Sequence, residues 1–298
     1  PVESDPTSIS GTNVGPEMRV SAIILTLGDR PDDLAVAIAS AQRQRDVAHA
    51  PIVVWNGAEA TALDGVEAVV VETNSGIPGG RNLGAAAADG ELLFFLDDDA
   101  EICADDVFAR LVEQFAADPA LAVVGLRIVD EGGETASRHV PRIGGRGASE
   151  PGEVKAFLGG AACIRAEAFH QVGGYSSEFV SSMEETDLSW RLLDRGWSIR
   201  YEPDLSVFHP RTTPARHADA ARRTARNRVW LARRRLPLPL AITYLMVWLT
   251  IGAARDPRSL SSVLAGAREG FSQRTGARTP ISWRTALRMT RLGRPPVV

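Results

Sequence analysis

Only two cysteines, Cys103 and Cys163, occur in 298 residues. That excludes a disulfide framework and points to a reducing compartment. No internal repeat is evident, which sets aside solenoids and propellers. No secretory signal is visible, and residues 1–17, polar and rich in Pro, Gly, Ser and Thr, are expected to be disordered. Long hydrophobic runs are missing too. The uncharged stretch 236–254 has 19 residues, barely the roughly 20 a bilayer requires, and Pro237, Pro239, Thr243 and Thr250 weaken it further. Residues 211–298 contain no lysine and 18 arginines, yet they lack aromatic interleaving and any recognised nucleic-acid motif, so a nucleic-acid partner is not expected.

What is present divides by charge. Residues 1–210 carry a net −19 and residues 211–298 a net +15. The basic tail suits phosphates or an anionic lipid surface, or it pairs with the acidic front. A hydrophobic content of 44% supports a substantial core.

Strand and helix patterns alternate. Val20–Leu27, Pro51–Trp55, Glu67–Glu72, Leu92–Leu96 and Ala122–Val129 read as strands. Asp32–Gln44, Gly79–Ala88 and Asp106–Ala116 read as the helices between them. This order predicts an α/β fold with a mostly parallel, Rossmann-like sheet flanked by helices. Residues 130–153 read as an irregular loop, Ser198–Tyr201 and Ser206–Phe208 as short strands, and the chain from Arg216 to near Ser272 as helical. The expected organisation is a disordered 1–17, a catalytic domain over 18–215 and an arginine-rich helical extension over 216–298.

Asp97, Asp98 and Asp99 follow the apolar run Leu92–Leu96. A strand apolar on both faces is central, so these carboxylates emerge where open α/β sheets bind ligands. Three adjacent carboxylates repel, and at least one pKa should rise unless a cation neutralises them. A divalent metal with a phosphate on its far side answers that repulsion; a helix cap near Asp105 would need only one Asp.

Upstream, Asn74–Gly84 reads NSGIPGGRNLG. Gly79 and Gly80 would open a helix with Arg81 in its first turn, an arrangement suited to pyrophosphate but also to an ordinary turn. Glu184, Glu185 and Asp187 begin a further helix, Glu184–Arg195. An acid there can serve as a general base, although Ser182 with Glu185, and Ser181 with Glu184, also have capping-box spacing. His209 follows a short strand and could complete the metal site, since imidazole serves metals such as Mn²⁺.

Together these segments resemble the inverting glycosyltransferases of family 2, with their GT-A fold, and more narrowly the rhamnosyl- and galactofuranosyl-transferase-like members. The landmarks are VSAIILTLGDR, NSGIPGGRNLG, FFLDDD, FLGGAACIR, GGYSSEF, MEETDLSWRLLDRG and VFHP, running from about Val20 to Trp230. The resemblance implies a nucleoside-diphosphate sugar donor and Mn²⁺ or Mg²⁺ held by Asp97 and Asp99 with His209. It assigns donor contacts to Thr26, Arg30, Asn56, Asn74, Arg81, Asp97 and Asp98, and close approach of donor or acceptor to Gly159 and Gly160. It places the base at Glu185, where relatives usually carry Asp, which leaves Asp187 as the substitute. Relatives also tend to carry Asp where Trp55 precedes Asn56-Gly57; here Trp55 either stacks on the nucleotide base or packs.

The expected activity is metal-dependent transfer of a sugar to an acceptor hydroxyl, on a lipid-linked or cell-envelope glycan. The alternatives are a catalytically weak sugar-nucleotide-binding subunit and a nucleotidyltransferase. The segment 236–254, flanked by Arg233–Arg235, Arg255 and Arg258, is expected to lie on an anionic membrane surface, making the protein cytoplasmic and peripheral at the inner face. A buried helix or a homodimer interface is the competing expectation.

Overall fold

The computed structural model describes residues 18–211, 219–255, 257–273 and 276–297. The expectation for residues 1–17 therefore lies outside the described residues, as does the stretch 216–218.

β1 (Val20–Thr26), α1 (Pro31–Gln42), β2 (His49–Asn56), β3 (Glu67–Val71), α2 (Gly76–Ala87) and β4 (Leu92–Asp97) form the first half. Here β3, β2, β1 and β4 lie side by side and parallel. β1 and β4 alternate cleanly between two cores. Ala22, Ile24, Phe94 and Leu96 face the layer holding α1, whereas Ile23, Leu93 and Phe95 face the opposite one. A strand covered on both sides must be apolar throughout, which is why Leu92–Leu96 shows no polar alternation. Its first polar residue, Asp97, ends the strand at the sheet's C-terminal edge.

The second half is mixed. β5 (Glu101–Ile102), α3 (Val107–Ala117), β6 (Leu121–Val129), β7 (Gly152–Glu153), β8 (Ala161–Arg165), α4 (Ala166–Gln171), α5 (Glu184–Asp194) and β9 (Ser198–Phe208) follow in order. β8 inserts antiparallel between β4 and β6. β6 and β9 are parallel, and β5 and β7 both pair antiparallel with β9. The two short strands expected at Ser198–Tyr201 and Ser206–Phe208 are one strand. An irregularity between Leu126 and Arg127 on its partner lets β9 carry Pro203 and still re-pair at Ser206.

Helix α2 opens at Gly76, not Gly79. Gly76 has φ +75°, and a Cβ there would meet the Val180 carbonyl, so glycine alone starts the helix at this point. Gly79, Gly80 and Arg81 accordingly lie inside the helix, and the expected first-turn pyrophosphate cradle at the two glycines is absent. A Cβ at Gly80 would strike Leu25 and one at Gly84 would strike Ile23; these glycines let α2 seat closely on β1.

The stretch from Arg216 to near Ser272, expected to be helical, forms three helices among the described residues, α6 (Ala220–Arg235), α7 (Leu238–Arg255) and α8 (Leu260–Ser272), followed by α9 (Trp283–Arg291). Pro237 and Pro239 explain the first break. Trp230, Leu231, Leu236, Tyr244 and Met289 join the same core as Phe95 and Trp190, so these helices pack on the sheet's α2–α5 side. Many tail arginines turn inward. Arg235 pairs with Asp187 and Arg288 with Glu153, while Arg233 donates to the Gly270 and Gln273 carbonyls. Arg234 and Arg235 thus tie the tail to the body, pairing with Glu178 and Asp187, while Arg233 ties α6 to the end of α8, so these flanking arginines have internal partners.

Candidate active site

Asp97, Asp98 and Asp99 occupy three different environments. Asp98 is buried and accepts from Thr26 Oγ1 at 2.7 Å and Arg30 Nη2 at 2.5 Å. Burial outweighs those partners and raises its pKa to about 6. Asp99 pairs with Arg30 and with His209, whose Nε2 is 3.2 Å from Asp99 Oδ1. Although burial opposes it, these cations hold Asp99 below the ordinary carboxylate range. Asp97 is the most exposed of the three, with His209 Nε2 at 4.0 Å. The repulsion expected among three carboxylates is thus divided between one raised pKa and several flanking cations.

His209 lies at the end of β9, beside β5 and opposite β4's exit. Its Nδ1 sits 2.8 Å from the Pro210 carbonyl, which turns Nε2 toward the acids. The hydrogen bond with Asp99 is the largest cause raising its pKa to about 9. Asp97, Asp99 and His209 each present one ligand atom within 4.8 Å of the others. Two carboxylates and an imidazole form a donor set that fits Mn²⁺.

Thr26, Arg30, Asn56, Asn74, Asp97, Asp98, Asp99 and His209 line one cleft of about 490 Å³. Asn56 is buried. Its amide donates to Asn74 Oδ1 and the Gly76 carbonyl, each at 3.1 Å, and its Oδ1 accepts from Ser75 N at 2.8 Å. Asn56 therefore spends its hydrogen bonding on the turn that starts α2, and Asn74 Oδ1 accepts within the same turn from Asn56 and from Gly76 N. Trp55 is buried in the core; it packs and offers no face for stacking.

Arg81 is buried between two acids. Nη2 lies 2.9 Å from Asp97 Oδ1 and Nη1 lies 3.4 Å from Glu185 Oε1, with the Tyr175 ring beneath the guanidinium. Gly159 and Gly160 explain this proximity. A Cβ at Gly159 would overlap Arg81, and one at Gly160 would overlap Asp97. The space these glycines leave is filled by the site's own side chains, not held open for donor or acceptor.

The acids of α5 separate sharply. Glu185 is part-exposed beside Arg81. Glu184 is buried with Oε2 unpartnered, and burial beside Glu185 raises its pKa. Asp187 is fully buried and takes Ser176 Oγ at 2.7 Å, Arg191 Nε at 2.8 Å and Arg235 Nε at 2.6 Å. That ionic cage removes Asp187 as a substitute base and makes it an anchor for α6. The capping boxes do not form either. The residue before α5 is Met183, in a left-handed conformation, with no side-chain cap.

The cleft also contains Val180 from the loop before α5 and Arg223 from α6, which the sequence did not single out, and Ser181, which it offered only as a helix cap. Val180, Ser182 and Met183 all have positive φ, which no residue-type pattern announces in a non-glycine loop. Arg223 lies among many tail arginines, and only the packing of α6 distinguishes it.

The family model for glycosyl transferase family 2 matches residues 21–173. The pre-mycofactocin glycosyltransferase of Mycobacterium tuberculosis is 31% identical over 206 residues, covering 63% of this chain and 43% of the relative. The chain thus spans less than half the length of that curated relative. Among solved structures, GalNAc-T7 with UDP, GalNAc and Mn²⁺ aligns with a TM-score of 0.63 at 17% identity, covering 87% of this chain and 55% of that one. Residues 1–349 of S. aureus TarS with UDP align at 0.59 and 16% identity, covering 82% and 75%.

Proposed function

This chain belongs to glycosyl transferase family 2, and from that premise we propose that it is a metal-dependent inverting glycosyltransferase using a nucleoside-diphosphate sugar. Its α/β structure is similar to GT-A glycosyltransferases. One observation carries the reading. Arg81 joins Asp97 of the candidate metal triad to Glu185 at the mouth of α5, so donor-phosphate and acceptor chemistry meet around a single guanidinium.

In this reading Asp97, Asp99 and His209 hold the metal. A bound Mn²⁺ or Mg²⁺ supplies positive charge for the departing diphosphate. Arg30 and Asp98 keep the acids in place. Glu185, oriented by Arg81, takes the proton from an acceptor hydroxyl. The acceptor oxygen bonds to the anomeric carbon as the carbon–phosphate-oxygen bond breaks, and the nucleoside diphosphate leaves with inversion. GalNAc-T7 was crystallised with UDP and Mn²⁺, which supports both donor class and metal.

The test is incubation with UDP- and GDP-sugars and Mn²⁺, with proton NMR of the product. Release of nucleoside diphosphate with inverted anomeric configuration supports the proposal. Release of pyrophosphate would point to a nucleotidyltransferase, and tight binding without turnover to a sugar-nucleotide-binding subunit.

The acceptor is proposed to be a lipid-linked or envelope glycan, reached from an anionic membrane surface. No single described helix is long and apolar enough to cross a membrane. Yet α7 exposes Leu238, Ile242 and Met246 at four-residue spacing, with Leu249 beyond, while Ala241 and Tyr244 are buried. A helix with one apolar face inward and another outward suits shallow interfacial contact.

A further inference from the structure

Arg30, His209 and Arg223 line the donor cleft, Arg81 adjoins it through the lining residue Asp97, and most of these cations are committed. Arg30 is bound to Asp98 and Asp99, and Arg81 to Asp97 and Glu185. Arg223 lines the same cleft from α6 and is half-buried. Among the described residues its guanidinium makes no hydrogen bond or ion pair. It also lies outside the 21–173 segment that matches the family.

Its position is firmly set. Asn227, one turn further along α6, is fully buried. Its Nδ2 donates to the carbonyls of Phe179, Ser181 and Ser182 at 2.9, 2.8 and 2.9 Å. These carbonyls belong to the loop with three positive-φ residues, which is held from the other side by Ile77 N donating to the Val180 carbonyl at 2.9 Å. Residues four apart on a helix share a face. The clamp at Asn227 therefore fixes where Arg223 enters the cleft, beside Val180 and Ser181 of the same loop.

We propose that Arg223 is a donor-binding residue that grips the sugar-bearing phosphate of the nucleoside diphosphate. This deepens the donor reading above and rests on it. The physical argument is charge. Asp29, Asp97, Asp98 and Asp99 all line the cleft, and an incoming diphosphate adds negative charge that Arg30 and Arg81, already paired, answer only in part. A guanidinium without a carboxylate partner presents its planar N–H fork to phosphate oxygens, which it can bind bidentately. As the sugar leaves, charge grows on that same phosphate, and Arg223 is placed to hold it.

The test is calorimetry on the full chain with Mn²⁺, using UDP, UMP, GDP and GMP against wild type, Arg223→Gln and Arg223→Lys. Arg223→Gln should weaken diphosphate binding by roughly 10- to 100-fold, the usual range for a lost charged hydrogen bond. Monophosphate binding and melting temperature should stay unchanged, since the side chain supports no fold contact. Arg223→Lys should fall between the two. If Arg223→Gln keeps the wild-type preference for diphosphate over monophosphate, or loses both nucleotides equally, the proposal is overturned. Should Arg223→Gln melt early, Arg223→Lys decides, and an unchanged diphosphate preference there overturns it as well. Wild type that binds none of the four nucleotides overturns the donor reading itself, and this inference with it.

Discussion

Arg81 Nη1 stands 3.4 Å from Glu185 Oε1 while Nη2 of the same guanidinium holds Asp97 at 2.9 Å. The residue is fully buried, and despite that burial Asp97 and the neighbouring acids raise its pKa, so its charge is permanent. Arg81→Met should leave Asp97 and Glu185 without their shared cation. We expect kcat to fall by about 10²–10³, the scale for losing one preorganised charge partner, with donor affinity also reduced. Arg81→Lys should recover little, because one ammonium cannot span both acids. Steady-state kinetics on both variants check this.

Glu185→Gln keeps the size and most hydrogen bonding of the side chain but cannot take a proton. Turnover should drop by about 10²–10⁴ with donor binding intact. Full turnover in Glu185→Gln would remove it as the base. The adjacent Glu184 is the control. It is buried, and its environment favours the neutral acid, so Glu184→Gln should cost much less activity.

Much of this site was legible because its residues sit at forced positions. Leu92–Leu96 had to be central, so Asp97–Asp99 had to emerge at the sheet's ligand-binding edge. His209 was recoverable because β9 ends beside the acids. Less legible was anything decided by packing across distant segments. Gly79 and Gly80 read as a phosphate turn, yet Leu25 and Ile23 explain the α2 glycines as close-packing positions. Asp187 read as an alternative base because its partner Arg235 lies 48 residues away. The tail's charge suggested a surface, but individual arginines find carboxylates that no local pattern connects to them.

Asp187 should give the protein an acid-sensitive limb. Burial alone would raise its pKa, but Arg191 and Arg235, with the hydrogen bonds of Arg235 and Ser176, hold it below the ordinary range. A depressed carboxylate contributes stability that is complete above its unfolded pKa of about 3.9 and is lost as pH falls toward the folded value. The Asp187 contribution, read as the difference in urea midpoint between wild type and Asp187→Asn, should therefore be level from pH 7 to about pH 5 and shrink below about pH 4. Asp187→Asn leaves Arg191 and Arg235 uncompensated and should cost about 3–5 kcal/mol at pH 7. Its stability should also vary less across the acid window.

Gly160→Ala tests the cradle at Asp97. The added methyl would overlap the Asp97 carboxylate, displacing one of three candidate metal ligands and the partner of Arg81. We expect Mn²⁺ affinity in isothermal titration to fall at least tenfold, about 1.4 kcal/mol. The melting temperature should fall only modestly, because β8 begins one residue later. Unchanged Mn²⁺ affinity would show that Asp97 can rearrange without loss or is not a ligand.

The α7 stripe separates membrane contact from a protein interface. Leu238, Ile242 and Met246 are each more than half exposed, and α8 adds exposed Leu264, Phe271 and Arg268. Ile242→Glu with Met246→Glu places charge on that stripe without touching the buried Tyr244 face, so the fold should hold within about 0.5 kcal/mol. Wild type should float with vesicles containing anionic lipid and not with neutral ones, and the double variant should lose flotation. Activity on a soluble acceptor analogue should persist, because the stripe supplies no residue to the donor cleft. If wild type ignores vesicles but sediments as a dimer that the double variant dissociates, the stripe is an interface between subunits. In that case the acceptor need not lie at a membrane.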